Sequence, residues 1–223
     1  MARMSATTLQ SECHGDEVAL LRRILVGHDL PGRHLEIGTA AGGTLKELML
    51  TYPDAATRPD FVVIDPMTYF DDQLSKVRHN LAASGIDPDA VTFWTGTSED
   101  FLAAERRSGG VFDFIFVDGD HRAAPVMVDM QWADMLRDGG FICFHDRSES
   151  FPGVGWSIAH FLRQNPNFHE FDSARTLVVL RKTGEGRRPV VTRADLKAAR
   201  LEQHRLRLRR SLRKRLPFLF ARD

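Results

Sequence analysis

The chain has 223 residues, 43% of them hydrophobic and 27% charged, and its formal net charge is zero. This length fits one domain with an appendage and excludes two full domains of ordinary size. Two cysteines exclude a disulfide framework, no run approaches the roughly 18 apolar residues that cross a bilayer, and the N-terminal residues lack a signal-peptide stretch, so we expect a reducing, cytoplasmic setting.

Short β-branched or aromatic runs alternate with segments of helical period, which predicts βαβ units in a parallel sheet. The predicted strands are 33–37, 61–65, 91–95, 112–117, 140–145, 167–172 and 176–181. The predicted helices are 15–28, 44–50, 71–84, 98–107, 125–136 and 156–165. The fold class is therefore α/β, with a Rossmann-like, doubly wound, seven-stranded and mostly parallel sheet that carries helices on both faces.

The domain is expected to span 1–182, followed by a linker at 183–191 and a basic tail at 192–223 with an amphipathic helix at 192–216. Because every predicted strand precedes residue 182, deletion of 187–223 should leave a folded body. That deleted segment holds 13 Lys or Arg against three acids, which leaves 17 basic and 27 acidic residues in the body. A tail that binds nucleic acid or anionic lipid and a helix that docks on its own domain both fit this asymmetry.

Ligands of such sheets bind beyond the carboxyl ends of the strands, so the residues that follow each strand matter most. Residues 36–44 read Glu-Ile-Gly-Thr-Ala-Ala-Gly-Gly-Thr, where glycine permits a tight turn and close approach of a ligand to the backbone. The spacing differs from the Gly-x-Gly-x-x-Gly dinucleotide fingerprint, which disfavours a nicotinamide or flavin enzyme. A plain turn is the alternative.

The next two strands also end in residues that suit a nucleoside. Asp65 offers a carboxylate that can accept from both hydroxyls of a ribose, although a strand-end Asp also caps helices. Gly96, Thr97 and Ser98 form a small turn beside which an adenine ring can lie, and Ser98 is also a predicted helix cap.

Acidic and imidazole side chains follow the fourth and fifth strands, as Asp118-Gly-Asp120-His121 and His145-Asp146. Because these strands are neighbours in doubly wound sheets, Asp118 and Asp146 are expected to converge. Clustered carboxylates repel one another unless a cation or proton lies between them, and oxygen-rich sites suit Mg²⁺ or Mn²⁺. We therefore predict a divalent metal between Asp118 and Asp146, with His145 as a further candidate ligand.

Imidazole is a poorer ligand for Mg²⁺ than for Mn²⁺, Fe²⁺ or Zn²⁺, so either the metal differs or His145 stands outside its ligand set. The alternative needs no metal: Asp118 would only hold the amine side of a cofactor, and His145 would be a hydrogen-bonded neighbour.

The order of motifs from residue 33 to 182 resembles that of the class I S-adenosylmethionine-dependent methyltransferases. Within that class, four segments look like the catechol and sugar O-methyltransferase branch. They are Leu35-Glu-Ile-Gly-Thr39, Gly96-Thr-Ser98, Phe116-Val-Asp118-Gly-Asp-His121 and Phe144-His-Asp146. Two departures are Ala40, where many relatives carry a larger residue or Gly, and His145, which replaces the usual first acid of a metal-binding pair.

The resemblance implies S-adenosylmethionine as cofactor and a divalent metal, Mg²⁺ or Mn²⁺, that binds the substrate hydroxyls. Glu36, Gly38 and Thr44 would surround the methionine part, Asp65 would hold the ribose and Ser98 would lie near the adenine. The other predicted cofactor contacts are Thr39, Gly42, Gly96, Thr97 and Asp118.

Two residues are candidates for the base that takes the proton of an acceptor hydroxyl. His121, with an unperturbed pKa near ~6.5, lies at the spacing where catechol-type relatives carry their base. Asp120 matches the acid that sugar-methylating relatives use, and it could instead cap the next helix. The sequence leaves both open.

These features predict metal-assisted O-methylation of a small hydroxylated metabolite such as a sugar, phenol or natural product, with a pocket lined by Tyr69, Phe151 and Trp156. The alternatives are a metal-independent methyltransferase, a hydroxylase-like relative, or a non-catalytic module that binds nucleic acid or membrane through its tail. The acidic body disfavours nucleic acid as a partner. One helical face of the tail holds Leu201, Leu208, Leu212 and Leu216, so membrane binding, self-association into a homo-oligomer and a lid over the substrate stay open.

Overall fold

The computed structural model describes residues 11–184 and 190–215. Its strands are β1 (Arg33–Ile37), β2 (Phe61–Asp65), β3 (Val91–Thr95), β4 (Phe112–Val117), β5 (Leu136–Phe144), β6 (Phe168–Ala174) and β7 (Leu177–Lys182). Its α-helices are α1 (Gly15–Gly27), α2 (Gly43–Met49), α3 (Gln73–Ala83), α4 (Ser98–Ser108), α5 (Ala123–Asp129), α6 (Pro152–Gln164) and α7 (Arg193–Arg215). Residues 1–10 of the predicted domain, 185–189 of the predicted linker and 216–223 of the predicted tail, including Leu216, lie outside the described part.

The seven strands form one sheet in the order β3-β2-β1-β4-β5-β7-β6. The first five strands are parallel, and β7 runs antiparallel between β5 and β6. The predicted Rossmann-like, mostly parallel sheet is confirmed. Strand order reverses between β1 and β4, so the crevice that binds ligands in such sheets opens at the carboxyl ends of these two strands.

Helices cover both faces of the sheet, which explains why its central strands are buried along almost their whole length. All six residues of β4 are buried, for example. One apolar cluster packs the sheet against α1, α2 and α3, and the other packs it against α4, α5, α6 and α7. This two-sided burial holds the strand ends in fixed positions at the crevice.

Two elements differ from the predicted ones. Strand β5 begins at Leu136, four residues earlier than predicted, because the chain passes through Gly139 (φ +81°) with an irregular register and stays in the sheet. The predicted helix at 125–136 is shorter: α5 ends at Asp129, and a 3-10 helix spans Met130–Met135. That tighter helix brings Trp132 and Met135, three residues apart, into the core.

The predicted tail helix is present as α7, and its first half packs on α5 and α6. Val190, Val191 and Ala199 are buried in the core cluster on that side. Among the described residues, no helix is both long and apolar enough to span a membrane.

Deletion of 187–223 should therefore lower the melting temperature by several degrees while leaving a folded protein, because it exposes the side chains that Val190, Val191 and Ala199 cover. Deletion of 207–223 is the matched control, since the side chains of α7 beyond Leu206 that the structure describes are exposed. Thermal denaturation of both truncated forms measures this. Equal stability of the two would show that the docked half of α7 contributes nothing.

Candidate functional site

The loop between β1 and α2 approaches the end of β4 too closely for any side chain at its first glycine. Gly38 has φ +83°, and a Cβ there would lie 2.5 Å from the carbonyl oxygen of Asp118. Gly42 (φ +84°) precedes α2, and a Cβ there would lie 3.1 Å from Cγ1 of Val77. Ala40 also has positive φ, at 45°, although it carries a side chain. Glycine at these two positions therefore permits the tight turn that the spacing predicted.

Glu36, at the end of β1, is a buried carboxyl group whose two oxygens have no hydrogen-bond partner among the described residues. The hydroxyl oxygen of Thr39 in the same loop is also buried without a partner. Burial raises the pKa of Glu36 to about 8; the nearby Thr39 hydroxyl opposes this rise, and the charges of Asp118 and Asp65 add to it. Buried polar atoms rarely lack partners, so this pair marks a place where a ligand with donor groups fits.

Asp65, at the end of β2, holds the loop from the other side. Its Oδ2 accepts from the backbone N–H of Thr39 at 2.9 Å, and its Oδ1 accepts from that of Met67 at 2.6 Å. The side-chain amide of Gln73 also donates to Oδ1, at 3.3 Å. Asp65 does not cap α3, whose N-cap residue is Asp72.

The turn after β3 is built differently from the predicted cap. Thr97, not Ser98, is the N-cap of α4, and it forms a capping box with Asp100. The hydroxyl of Ser98 instead donates to the carboxylate of Asp129 on α5. Burial raises the pKa of Asp129 to about 7, against the hydrogen bond from Ser98. Gly96 and Thr97 thus connect β3 to α4, and Ser98 begins α4 beside a buried acid that the sequence did not single out.

Thr44 lies in the first turn of α2 and is turned toward the N-terminal segment. Its hydroxyl lies 2.8 Å from that of Ser11 and 3.7 Å from Sγ of Cys13. A cofactor that contacted the hydroxyl of Thr44, as the sequence predicted, would have to compete for it with Ser11 and Cys13.

Four side chains that follow β4 and β5 form one cluster, as the sequence predicted. His145 Nδ1 lies 3.1 Å from Oδ1 of Asp118, and His121 Nε2 lies 3.3 Å from the same oxygen. Asp146 completes the cluster, with its carboxylate 3.4 Å from His121 and 3.8 Å from His145. Ligand atoms of Asp118, His145 and Asp146 all lie within 4.8 Å of one another.

Charges within this cluster favour ionised forms. Burial alone would raise the pKa of Asp118, but hydrogen bonds from His121 and His145 hold it below its ordinary value. Burial alone would lower the pKa of His121, yet Asp118 and Asp146 raise it above its usual range. Burial opposes the charged form of His145 too, and its bond to Asp118 outweighs that effect and raises the pKa. The carboxylates therefore favour the protonated form of each imidazole beside them, and the imidazoles favour the ionised form of Asp118.

Asp120 does not join the cluster. Both its oxygens accept from Nε of Arg122 at 2.8 Å, and its Oδ1 accepts from the Arg122 backbone N–H. These bonds outweigh burial and hold its pKa below the ordinary value. Of the two candidate bases, only His121 touches Asp118 and Asp146.

The N-terminal helix brings residues to the cluster that the sequence did not single out. Glu17 on α1 lies with Oε2 3.2 Å from Nε2 of His145, so the imidazole bridges Glu17 and Asp118. Cys13 forms a second, buried group of potential ligands with Glu17 and His145. The His14-x-x-Glu17 capping box is visible in the sequence, but its place beside β5 is a tertiary feature.

Of the aromatic residues predicted to line a pocket, Phe151 lies at the cluster, with its ring centroid 4.6 Å from that of His121. Trp156 instead stacks on His160 of α6, and Tyr69 is exposed against Phe70.

Comparison with known proteins gives the family. Residues 35–147, just over half of the chain, match the family described as a methyltransferase domain. No curated protein matches significantly. Cofactor-bound Rv0187 from MTB is similar in structure, with a TM-score of 0.63, 18% identity, and coverage of 81% of this chain and 85% of that one.

Two further solved structures are similar. The O-methyltransferase TomG from Streptomyces achromogenes, involved in tomaymycin synthesis and in complex with SAM, has a TM-score of 0.60 and 19% identity, with 77% of this chain and 82% of that one covered. The O-methyltransferase from Bacillus cereus in complex with SAH has a TM-score of 0.60 and 17% identity, with 77% and 83% covered. The resemblance to class I methyltransferases is confirmed: the chain belongs to the methyltransferase-domain family and has the class I methyltransferase fold.

Proposed function

We propose that this protein transfers the methyl group of S-adenosylmethionine to a hydroxyl oxygen of a small molecule. The main support for the proposal is that two groups of side chains lie close together at one edge of the sheet. The unpartnered carboxyl of Glu36 lies close enough to Asp118 for that charge to raise its pKa. Asp118 in turn belongs to the acid and imidazole cluster. A cationic methyl donor and a proton acceptor would thus meet in one crevice.

The cofactor side of the proposal rests on Glu36, Gly38, Thr39 and Asp65. The ammonium and sulfonium groups of the donor are cations, which a buried carboxylate stabilises. Oδ2 of Asp65 accepts one hydrogen bond, which leaves a lone pair for a ribose hydroxyl. The solved structures of TomG and of the Bacillus cereus enzyme hold SAM and SAH, and the fold they share with this chain supports the same ligand here.

In the transfer, the acceptor oxygen forms a bond to the methyl carbon while the bond from that carbon to sulfur breaks. The electron pair of the broken bond stays on sulfur, which becomes a neutral thioether, and the hydroxyl proton passes to a base. His121 is our candidate base in its neutral form: Nε2–H donates to the carboxylates of Asp118 and Asp146, Nδ1 takes the proton, and the two carboxylates stabilise the imidazolium that forms. The ring of Phe151 against His121 would help to position an aromatic or sugar acceptor.

The side chains of Asp118, His145 and Asp146 fit a divalent cation, since their ligand atoms lie within 4.8 Å of one another. A set of two carboxylates and one imidazole suits Mn²⁺, Fe²⁺ or Zn²⁺ better than Mg²⁺. Bound there, such a cation would lower the pKa of an acceptor hydroxyl. Glu17 would then accept from the second ring nitrogen of His145, the arrangement that commonly orients a metal-binding imidazole.

A metal-independent methyltransferase is the second candidate. His145 lies 3.1 Å from Asp118 and 3.8 Å from Asp146, so its protonated form would offset their charges without a cation and would leave His121 as the base.

Asp65→Ala should weaken binding of S-adenosylmethionine and of its demethylated product by roughly ten- to a hundredfold, because a charged hydrogen-bond acceptor is lost. Isothermal titration calorimetry measures both affinities. Asp60→Ala, at the exposed residue that precedes β2, is the matched control and should bind normally. Unchanged affinity in Asp65→Ala would contradict the ribose assignment, and no binding by the unaltered protein would overturn the proposed function.

The activity itself is tested by incubating the protein with methyl-labelled S-adenosylmethionine and a panel of sugars, phenols and catechols. Label should appear on an oxygen of at least one class. Parallel reactions with a chelator, and with added Mn²⁺ or Mg²⁺, separate the metal-assisted candidate from the metal-independent one.

A further inference from the structure

Helix α7 presents apolar side chains on two opposite faces. On the inner face, Ala199 is fully buried, Leu196 packs on the core cluster, and Gln203 accepts a hydrogen bond from the backbone N–H of Ala124 at 3.1 Å. On the outer face, Leu201 and Leu208 are 73% and 52% exposed. Docking on the body therefore accounts for one apolar face and leaves the other uncovered.

The outer leucines form a stripe, which we define as Leu201, Leu208 and Leu212. Successive residues of an α-helix are turned by about 100°, so these three positions fall within roughly 40° of one another. Leu212 is 47% exposed, so every member of the stripe lies in solvent. Arg205, Arg209 and Arg215 flank the stripe in the same projection, and all three are exposed.

The charge around the stripe is almost all positive. Residues 200–215 contain eight Lys or Arg and a single acid, Glu202. That acid pairs with Arg205 at 3.2 Å. The helix therefore combines a narrow apolar stripe with a dense field of cations.

The apolar stripe and the positive charge around it together indicate which kind of partner binds this face. Two copies of α7 meeting through their stripes would bring their arginines together, which like-charge repulsion disfavours. Nucleic acid would satisfy the arginines but would leave the leucines in water. An anionic bilayer accepts both, because its headgroups attract the arginines while leucines enter the boundary of the acyl chains.

We propose that the outer face of α7 is a docking surface for an anionic lipid bilayer. The inner face stays packed on α5 and α6, so the catalytic body would be held at the membrane surface by a rigid helix. Because the stripe is narrow, much of the binding energy comes from charge, and binding is reversible and weakened by salt.

The test is flotation of the full chain with vesicles of phosphatidylcholine alone and of phosphatidylcholine mixed with phosphatidylserine. The protein should float with the mixed vesicles only, and added salt should reduce the bound fraction. Leu208→Ser with Leu212→Ser should lower the partition coefficient by about tenfold or more. Arg209→Gln with Arg215→Gln should lower it by roughly fivefold per charge.

Two controls keep these results specific. Val26→Ser removes an apolar side chain of α1 that is 73% exposed, and Arg107→Gln removes an exposed charge of α4. Both should float like the unaltered protein. Unchanged melting temperatures of the α7 variants would show that the inner face is intact.

Three outcomes would overturn the proposal: no flotation with the mixed vesicles, equal flotation of the leucine variants, or a preference for single-stranded oligonucleotide over vesicles in competition. The last outcome would assign the arginines to nucleic acid instead. Each is independent of methyl transfer, so failure of the docking surface leaves the proposed function standing.

Discussion

Asp146→Asn is expected to bind S-adenosylmethionine within about twofold of the unaltered protein and to transfer methyl groups roughly a hundredfold more slowly or worse. The reason is the position of Asp146, which contacts His121 and His145; of the residues assigned to the cofactor, Asp118 alone belongs to the same cluster. Asn is the suitable replacement because Asp146 has φ +63°, a conformation that Asn tolerates and most residues do not. A loss of turnover would therefore report the missing charge.

Single-turnover rates and calorimetry on the same preparation measure the two effects. Exhaustive chelation of the unaltered protein should abolish turnover, and Mn²⁺ should restore it better than Mg²⁺. Asp54→Asn, in an exposed loop, is the matched control. Full activity after chelation together with normal turnover of Asp146→Asn would leave the metal-independent candidate.

The sheet was predictable from the sequence because its strands are short apolar runs with clear ends. Strands β1 to β4 match the predicted bounds to the residue, and the convergence of Asp118 with Asp146 followed from the rule that β4 and β5 are neighbours. The early start of β5 was not predictable by pattern, since Gly139 and Gly140 are weak strand formers.

What the sequence could not supply are contacts between distant elements. Glu17 reaches His145 across 128 positions, and nothing in the pattern of α1 shows which strand end it will face. The same limit applies to Ser98, whose local sequence predicts a cap and whose hydroxyl instead bonds to Asp129, 31 residues on. Local rules place a side chain on an element, while packing decides which partner it meets.

Binding of S-adenosylmethionine near neutral pH is expected to release close to one proton from Glu36. Burial raises the pKa of this carboxyl to about 8, with Asp118 and Asp65 adding to the rise, so the free protein holds it protonated at neutral pH. A cationic ligand favours the ionised form and lowers that pKa. Affinity should then rise with pH between the lowered pKa and about 8, by up to about tenfold per pH unit.

The sign of the stability effect follows from the same shift. The pKa of Glu36 in the folded protein lies above the unfolded value of 4.5. Without ligand, the contribution of Glu36 to the free energy of unfolding is therefore complete below pH 4.5 and is lost as pH rises to about 8. Glu36→Gln keeps the shape of the side chain and cannot ionise. The melting temperature of the ligand-free variant should therefore fall less than that of the unaltered protein between pH 4.5 and about 8.

Calorimetry in buffers of different ionisation enthalpy counts the released protons, and Glu36→Gln, measured at ligand concentrations that saturate it, is the matched variant. Any titration of the ligand's own amino group is common to both proteins and cancels in the difference. The variant should release about one proton fewer and show a flatter pH dependence. Equal proton release by both proteins would mean that Glu36 keeps its proton when the ligand binds. The unpartnered oxygens of Glu36 would then not lie beside the cationic part of the methyl donor.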